Sequence, residues 1–300
     1  MRIQTICIVG AGVMGRLVAW SCVANGLGVK LFDISRDSLR QAEQEIAQWL
    51  GQDGLAGPVQ HATLARLRVC HDLPQALDGV DLAFENVNEE LSLKRTVHAD
   101  INRLAAETVL IGTNASSLTC SAMAEASGRP DRFFNMNFTN PRTDRLVEVM
   151  ASPLTSKETL RAALQWARTI GMVPLVARRE IMGYIQNRIW RAIKKEALFL
   201  ADQGYATPAD IDRGFMLSFG VPKGPFAIMD QCGLATIQSV EKRYFDNSGD
   251  PSDRPPAILN DLVSAGHLGP QSGRGFYDYP EPDYEKPGWL SKDPPFDETH

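Results

Sequence analysis

The chain has 300 residues, 44% hydrophobic and 22% charged, which is enough apolar material for two packed domains of about 150 residues each. Lys and Arg number 31 against 36 Asp and Glu, a formal charge of −5, so no overall basic field exists to hold nucleic acid or an anionic membrane surface. Five scattered cysteines, Cys7, Cys22, Cys70, Cys120 and Cys232, form neither a CxxC pair nor a metal-ligand spacing with the five histidines. Free thiols, a reducing compartment and no metal site are the expectation.

Arg2 followed by the apolar run Ile3–Gly15 has the outline of a secretion signal, but Arg16 breaks it, its glycines are regularly spaced and no small-residue cleavage site follows. No charge-free stretch of about 18 apolar residues occurs elsewhere, so the expected location is the cytoplasm or an organelle matrix.

In chain order, the pattern predicts a strand over Thr5–Val9, a helix from Val13 to Asn25, a strand over Val29–Phe32 and an amphipathic helix from Ser35 to Leu50. Further strands are predicted at Asp81–Glu85, Thr108–Gly112 and Arg132–Phe138, with Arg145–Met150 and Val173–Ala177 as late strands of the same sheet. Strand-helix alternation predicts a parallel sheet. From Gly183 only helical patterns follow: Ile185–Gly204, a second helix opened by Thr207 with Pro208 in its first turn, and a third opened at Gly224-Pro225. Residues 281–300 carry six acids against two lysines, or −4 of the total charge. That segment reads as a solvated, mostly disordered tail, or as an arm laid on a partner subunit through Trp289 and Phe296.

Gly10-Ala11-Gly12-Val13-Met14-Gly15 lies between the first strand and the first helix, and Asp33 ends the second strand. This is a complete mononucleotide-binding unit. Gly10 allows the tight turn, Gly12 lets backbone approach a pyrophosphate, Gly15 lets helix pack on strand, and the N–H groups at the helix start, at Val13 and Met14, favour an anion. Asp33 can accept hydrogen bonds from an adenosine ribose and would repel a 2′-phosphate, which favours NAD(H); a flavin or another adenine ligand is the alternative.

Beyond the glycines, several segments appear in order: Glu85-Asn86-Val87-Asn88-Glu89-Glu90 with Lys94, Thr113-Asn114-Ala115-Ser116-Ser117-Leu118, Asn137-Phe138-Thr139-Asn140-Pro141 leading to Leu146-Val147-Glu148, and Gly183-Tyr184-Ile185-Gln186-Asn187-Arg188. Ala206–Asp212, Gly224-Pro225-Phe226 and Gly273–Tyr277 complete them. With these segments the chain resembles the L-3-hydroxyacyl-CoA dehydrogenase family from Ile6 to Tyr279. The resemblance implies an α/β chain, with a doubly wound Rossmann-type NAD-binding domain over residues 1–180, an all-α substrate and dimerisation domain over 181–280, and an acidic, proline-rich tail. It further implies an NAD-dependent dehydrogenase of fatty acid metabolism, forming a homodimer and acting on a small molecule, an acyl-CoA or a carboxylate, in the cleft between domains. Glu89 and Lys94 would contact the nicotinamide-side ribose, Asn114 would belong to the cofactor site, Ser116 and Asn187 would hold the substrate oxygen, and Asn140 would sit by the nicotinamide. Taken singly, Ser116 and Asn114 also read as turn residues, and Asn187 as a helix-start residue.

One departure bears directly on chemistry. The family's general base is a histidine paired with a glutamate, and here Asn137 holds the histidine's position while Glu148 remains. A carboxamide can orient an oxygen but has no useful acid or base form. Three readings follow: proton transfer through water or through Glu148 and water, a substrate that supplies its own proton, or a chain that binds NAD and turns over poorly. The histidines His61, His71, His98, His267 and His300 read as surface or locally satisfied residues. A second departure concerns the substrate. Arg142-Thr143-Asp144-Arg145 replaces an apolar stretch, and Arg191, Lys194 and Lys195 follow Asn187, so these cations either grip a carboxylate or form a solvated face. Leu39–Arg68, which helps hold CoA in the family, is neutral to acidic and contains no lysine, which makes a free or aromatic hydroxy acid or aldehyde acid a rival to the acyl-CoA substrate that the resemblance implies.

Overall fold

A computed structural model describes residues 2–291. The chain divides into two compact units after Gln186. The first contains, in order, β1 (Thr5–Val9), α1 (Val13–Ala24), β2 (Gly28–Phe32), α2 (Arg36–Gln52), α3 (Gly57–Leu64), β3 (Leu67–Cys70), α4 (Leu73–Leu77), β4 (Leu82–Glu85), α5 (Leu91–Leu104), β5 (Leu110–Thr113), α6 (Ser121–Ala124), β6 (Phe133–Phe138), β7 (Leu146–Met150), α7 (Lys157–Thr169) and β8 (Val173–Ala177). The strands form one sheet in the order β3-β2-β1-β4-β5-β6-β7-β8. Strand order reverses between β1 and β4, and in doubly wound sheets ligands bind at such a point, at the carboxyl ends of the strands.

Alternation along each strand sends side chains to two apolar layers. Ile6, Ile8, Leu31, Phe84, Phe134, Met136, Phe138, Val147 and Val149 enter the first layer, under α1, α2 and α7, where the Phe84 and Trp166 rings meet edge to face at 4.9 Å. Cys7, Val9, Ala83, Ile111, Phe133, Met150 and Tyr184 enter the second. The same alternation points Glu85, Thr113, Asn135, Asn137 and Glu148 toward the second layer, near the carboxyl ends of β4, β5 and β6. Helix starts follow their caps: Ser35 Oγ accepts from Ser38 N–H at 3.2 Å to open α2, which then buries Leu39, Ala42, Ile46 and Leu50 at helical spacing.

Two expectations about the sheet are corrected. β7 pairs with β6 antiparallel, with Asn137 opposite Glu148, and β8 then runs parallel to β7. The connection over residues 139–145 is too short for the crossover that a parallel pair requires. β3 was not predicted, because an edge strand of four residues that includes Arg68 carries little apolar pattern. The compact units divide after Gln186, and Glu148 of the first unit accepts the N–H groups of Ile185 and Gln186.

The second unit contains α8 (Gln186–Asp202, of which all but its first residue lie here), α9 (Pro208–Phe219), α10 (Pro225–Cys232), α11 (Leu234–Ser248) and α12 (Ala257–Ser264) around a core that includes Leu198, Met216, Phe226, Leu234 and Leu259. Buried Asp212 accepts from Phe226 N–H, Ala227 N–H and the Tyr277 hydroxyl, tying the start of α10 to the C-terminal segment; burial pushes its carboxyl up to about 6. The solvated-tail expectation is corrected for residues 281–291. Tyr284 and Trp289 are buried in this unit's own core, and the Arg213 guanidinium lies 4.7 Å from the Trp289 ring. Phe296 and His300 lie outside the described residues. Among the described residues no helix is long and apolar enough to cross a membrane.

The cations of α8 are paired within their own unit. Arg191 contacts Glu241 at 3.2 Å and Asp253 at 2.8 Å, Lys194 contacts Glu241 at 2.6 Å, and Lys195 contacts Asp253 at 2.7 Å. The Glu241 contacts are ion pairs rather than aligned hydrogen bonds. Hydrogen bonds from Arg191 and Lys195 hold the Asp253 carboxyl well below the usual carboxylate range. Its folded value is thus depressed below an unfolded value near 3.8, so its stabilisation is complete above that pH and is lost as pH falls toward the folded value. Asp253→Asn is expected to lower the melting temperature at neutral pH and to flatten its fall below about pH 4. A variant whose melting temperature tracks that of the wild type across the acid range would remove this network from the stability of the unit.

Candidate active site

The turn after β1 is built for a close ligand. Gly10 has φ +107°, and a Cβ there would stand 2.8 Å from the Asn86 carbonyl oxygen; at Gly15 a Cβ would stand 1.8 Å from the Gly10 carbonyl oxygen. Gly12 is the opposite case, since a Cβ there would meet nothing within 4 Å, leaving the open room a pyrophosphate needs. No side chain caps α1 at Gly12, so the first N–H groups of the helix, with exposed Val13 and half-buried Met14 in its opening turn, remain available to an anion. Asp33 accepts from Ala11 N–H at 2.7 Å and from Ser35 N–H at 2.8 Å, which fixes the carboxylate and leaves lone pairs for a ribose. These residues fit NAD.

Beside this turn lies a residue that the sequence reading missed. Glu85, at the end of β4 and fully buried, binds Lys94 Nζ at 2.8 Å, His98 Nε2 at 3.0 Å, Thr113 Oγ1 at 2.6 Å and Val87 N–H at 2.6 Å. Burial alone would push this carboxyl up; the hydrogen bond from His98 and the charge of Lys94 overcome it and hold the group below its ordinary range. A signal existed in the sequence, because Lys94, His98 and Ile101 share the buried stripe of α5, and a cation on such a stripe calls for an acid.

Lys94 is fully buried, and its three donors are taken by Glu85, the Val87 carbonyl at 3.2 Å and the Asn114 carbonyl at 2.9 Å. It therefore organises the loops, with Glu89 Oε2 3.7 Å from its ammonium. Glu89 accepts from Ser116 N–H at 2.8 Å, Ser117 N–H at 2.7 Å and Ser117 Oγ at 2.9 Å, clamping the serine loop and leaving Ser116 exposed. Below that loop Asn135, also missed, accepts from Ala115 N–H at 3.2 Å and donates to the Leu118 carbonyl at 3.0 Å. Asn114 ties the strand ends together, donating to Asn86 Oδ1 at 3.0 Å and accepting from Phe138 N–H at 3.3 Å. Asn140 is exposed and accepts from Arg142 N–H at 3.0 Å.

Asn137 and Glu148 face each other across β6 and β7. Asn137 Nδ2 lies 3.4 Å from Glu148 Oε2, while Glu148 Oε1 accepts from Ile185 N–H at 2.9 Å and Gln186 N–H at 3.0 Å. One oxygen of Glu148 thus caps the start of α8 and the other holds the amide. Among the described residues of the first unit no imidazole replaces the expected base: His98 is committed to Glu85, and His61 and His71 are exposed. Asn187 begins the second unit, on the first turn of α8. No group of three His, Cys, Asp or Glu side chains suited to a metal ion occurs among the described residues.

The cations expected to grip a carboxylate are otherwise engaged. Arg142 lies over the Trp20 and Trp49 rings at 4.8 and 5.5 Å and pairs with Asp53 at 3.2 Å, and Arg145 donates to the Gly171 carbonyl at 3.1 Å. With the Arg191, Lys194 and Lys195 pairs described above, the carboxylate-gripping reading of these residues is replaced by a structural one.

A doubly wound sheet with a glycine turn and an acid at the end of its second strand defines a dinucleotide-binding domain. Comparison with known proteins gives the family. Residues 5–181 match the model of the 3-hydroxyacyl-CoA dehydrogenase NAD binding domain, and residues 183–279 match that of the 3-hydroxyacyl-CoA dehydrogenase C-terminal domain. The chain is 31% identical over 288 residues to the mitochondrial hydroxyacyl-coenzyme A dehydrogenase of Sus scrofa, covering 92% of this chain and 91% of that one. It is 28% identical over 285 residues to 5-formyl-3-hydroxy-2-methylpyridine 4-carboxylate 5-dehydrogenase of Mesorhizobium japonicum, covering 92% and 91%. The crystal structure of (S)-3-hydroxybutyryl-CoA dehydrogenase PaaH1 from Ralstonia eutropha superposes with a TM-score of 0.85 at 31% identity, covering 93% of this chain and 100% of that one. The chain belongs to the 3-hydroxyacyl-CoA dehydrogenase family and is an NAD-dependent oxidoreductase acting on CH–OH groups.

Asp33→Ala is expected to weaken NADH binding by about tenfold, the scale of a hydrogen bond to a charged acceptor, as read by fluorescence titration. An unchanged affinity would remove Asp33 from the ribose contact.

Proposed function

We propose that this protein interconverts the hydroxyl and carbonyl of a 3-hydroxyacyl-CoA ester, and that it does so without an imidazole base. The observation that carries the choice of substrate class is the pairing of Arg142, Arg191, Lys194 and Lys195 with carboxylates of the chain itself, which leaves of the five only exposed Arg145, bonded through Nε to the Gly171 carbonyl. Membership of the family supports the thioester.

Bound NAD would accept hydride at its nicotinamide ring. Around it, the Gly12 turn and the start of α1 would hold the pyrophosphate, Asp33 the adenosine ribose, and Asn140, with Glu89 and Asn114, the nicotinamide side. Glu89 fixes the serine loop and holds the Ser116 hydroxyl in a long 3.5 Å hydrogen bond, and family resemblance assigns Ser116 and Asn187 to the reacting oxygen. Short neutral donors stabilise charge developing on oxygen without trapping an ion. Asn137 is held by Glu148 and orients the same oxygen, but it cannot take the carbinol proton, which leaves through water. Losing a positioned base costs about 10²–10⁴-fold, a slower enzyme rather than an inactive one.

A homodimer is part of this proposal, supported by Ile189, Leu217 and Phe219 of the second unit, which are 50%, 60% and 68% exposed. Cytoplasmic location accords with five free cysteines, and a role in fatty acid metabolism follows from the substrate class.

NADH formation from 3-hydroxybutyryl-CoA and from hydroxy and aldehyde carboxylates, run with the wild type and Asn137→His, tests the reading. Turnover of the CoA ester, raised at least about tenfold by the histidine, is expected. Preference for a free carboxylate with no gain from histidine would overturn it.

A further inference from the structure

Asn135 is a polar residue inside β6, a strand buried along its whole length whose other side chains include Phe133, Phe134, Met136 and Phe138. A carboxamide is costly in such a place unless its donor and its acceptor are both satisfied, and strands disfavour asparagine on their own account. Asn135 has no surface open to solvent, so its two hydrogen bonds identify what it holds.

Both bonds go to one short loop. Asn135 Oδ1 accepts from Ala115 N–H at 3.2 Å and Nδ2 donates to the Leu118 carbonyl at 3.0 Å, so a single amide grips both ends of the segment Ala115–Leu118. That grip needs a side chain with a donor and an acceptor side by side. The segment belongs to no helix or strand. Its successive N–H groups are held by side chains instead: that of Ala115 by Asn135, and those of Ser116 and Ser117 by Glu89 at 2.8 and 2.7 Å. Ala115 is buried and Ser116 is exposed, so the loop is fixed at its foot and presents the serine at its crest. The backbone of Asn135 is in turn fixed by the sheet, opposite Thr113 on β5 and opposite Met150 on β7. A group supported in this way takes its precision from the strands rather than from the loop that carries it.

We propose that Asn135 is a positioning residue for the oxidation: from beneath, without touching substrate or cofactor, it sets the place of the Ser116 hydroxyl. The inference rests on the reading above in which Ser116 serves the reacting oxygen. A donor to developing charge acts only at about 2.7–3.1 Å from that oxygen, and a displacement of about 1 Å can cost about 10²-fold in rate.

Asn135→Leu, which keeps the volume and loses both bonds, and Asn135→Ala, which loses the bonds and the volume, test this in the full chain, each with and without Ser116→Ala. In the wild-type background each is expected to lower kcat at least about tenfold while KM and the NADH affinity stay within about twofold. In the Ser116→Ala background the further loss should stay below about twofold, because the loop then has no hydroxyl to place. Hydrogen exchange of the amides over residues 115–118, read by mass spectrometry, should quicken in both variants. An unchanged kcat, a loss of equal size in both backgrounds, or loop exchange as slow as in the wild type would overturn the proposal. Absence of wild-type turnover on every substrate, or a wild-type kcat in Ser116→Ala, would instead defeat the reading on which it rests, and the exchange rates would still decide whether Asn135 holds the loop.

Discussion

The candidate site depends on one buried carboxylate. Glu85 ends β4 and gathers Lys94 and His98 from α5, Thr113 from β5 and the N–H of Val87 from its own loop. Lys94 extends the grip to the carbonyls of Val87 and Asn114, so the loops after β4 and β5 share one electrostatic anchor. A buried ion pair gives little net stability against an apolar substitute, but breaking it leaves an uncompensated charge and costs about 3–5 kcal/mol. Its value here is positional, because the loops it fixes carry Glu89 and Ser116.

A second carboxylate sets the chemistry. Glu148 spends one oxygen on the start of α8 and turns the other to Asn137. By family resemblance Asn137 stands where a histidine would, and a carboxamide cannot exchange a proton near neutral pH as an imidazole does. In the proposed reaction, oxygen positioning and cofactor binding are therefore assigned to groups other than the one that takes the proton.

Much of this was legible in the sequence. Gly10, Gly12 and Gly15 have local jobs, and the strands and helices around them follow from apolar period and caps such as Ser35 and Thr207. Partners distant in sequence were not legible. Arg191 and Lys195 read equally well as a solvated face or a carboxylate grip until Asp253, more than fifty residues away, is seen beside them. The burial of Lys94 against Glu85 and two carbonyls was likewise not legible, because a sequence displays a charge but not its burial. Short β3 and the reversed β7 escaped for a related reason, since pairing direction is set by neighbours and loop length rather than by the strand's own residues.

The most direct test of the central claim follows the hydrogen on the carbinol carbon. 3-Hydroxybutyryl-CoA carrying deuterium at that carbon would be mixed with the protein and NAD, and the reduced nucleotide read by mass spectrometry. Deuterium on the nicotinamide, with a slower rate than the protium substrate gives, is the predicted result. Bound NAD with no transfer of the label would contradict it and leave a nucleotide-binding protein without the reaction.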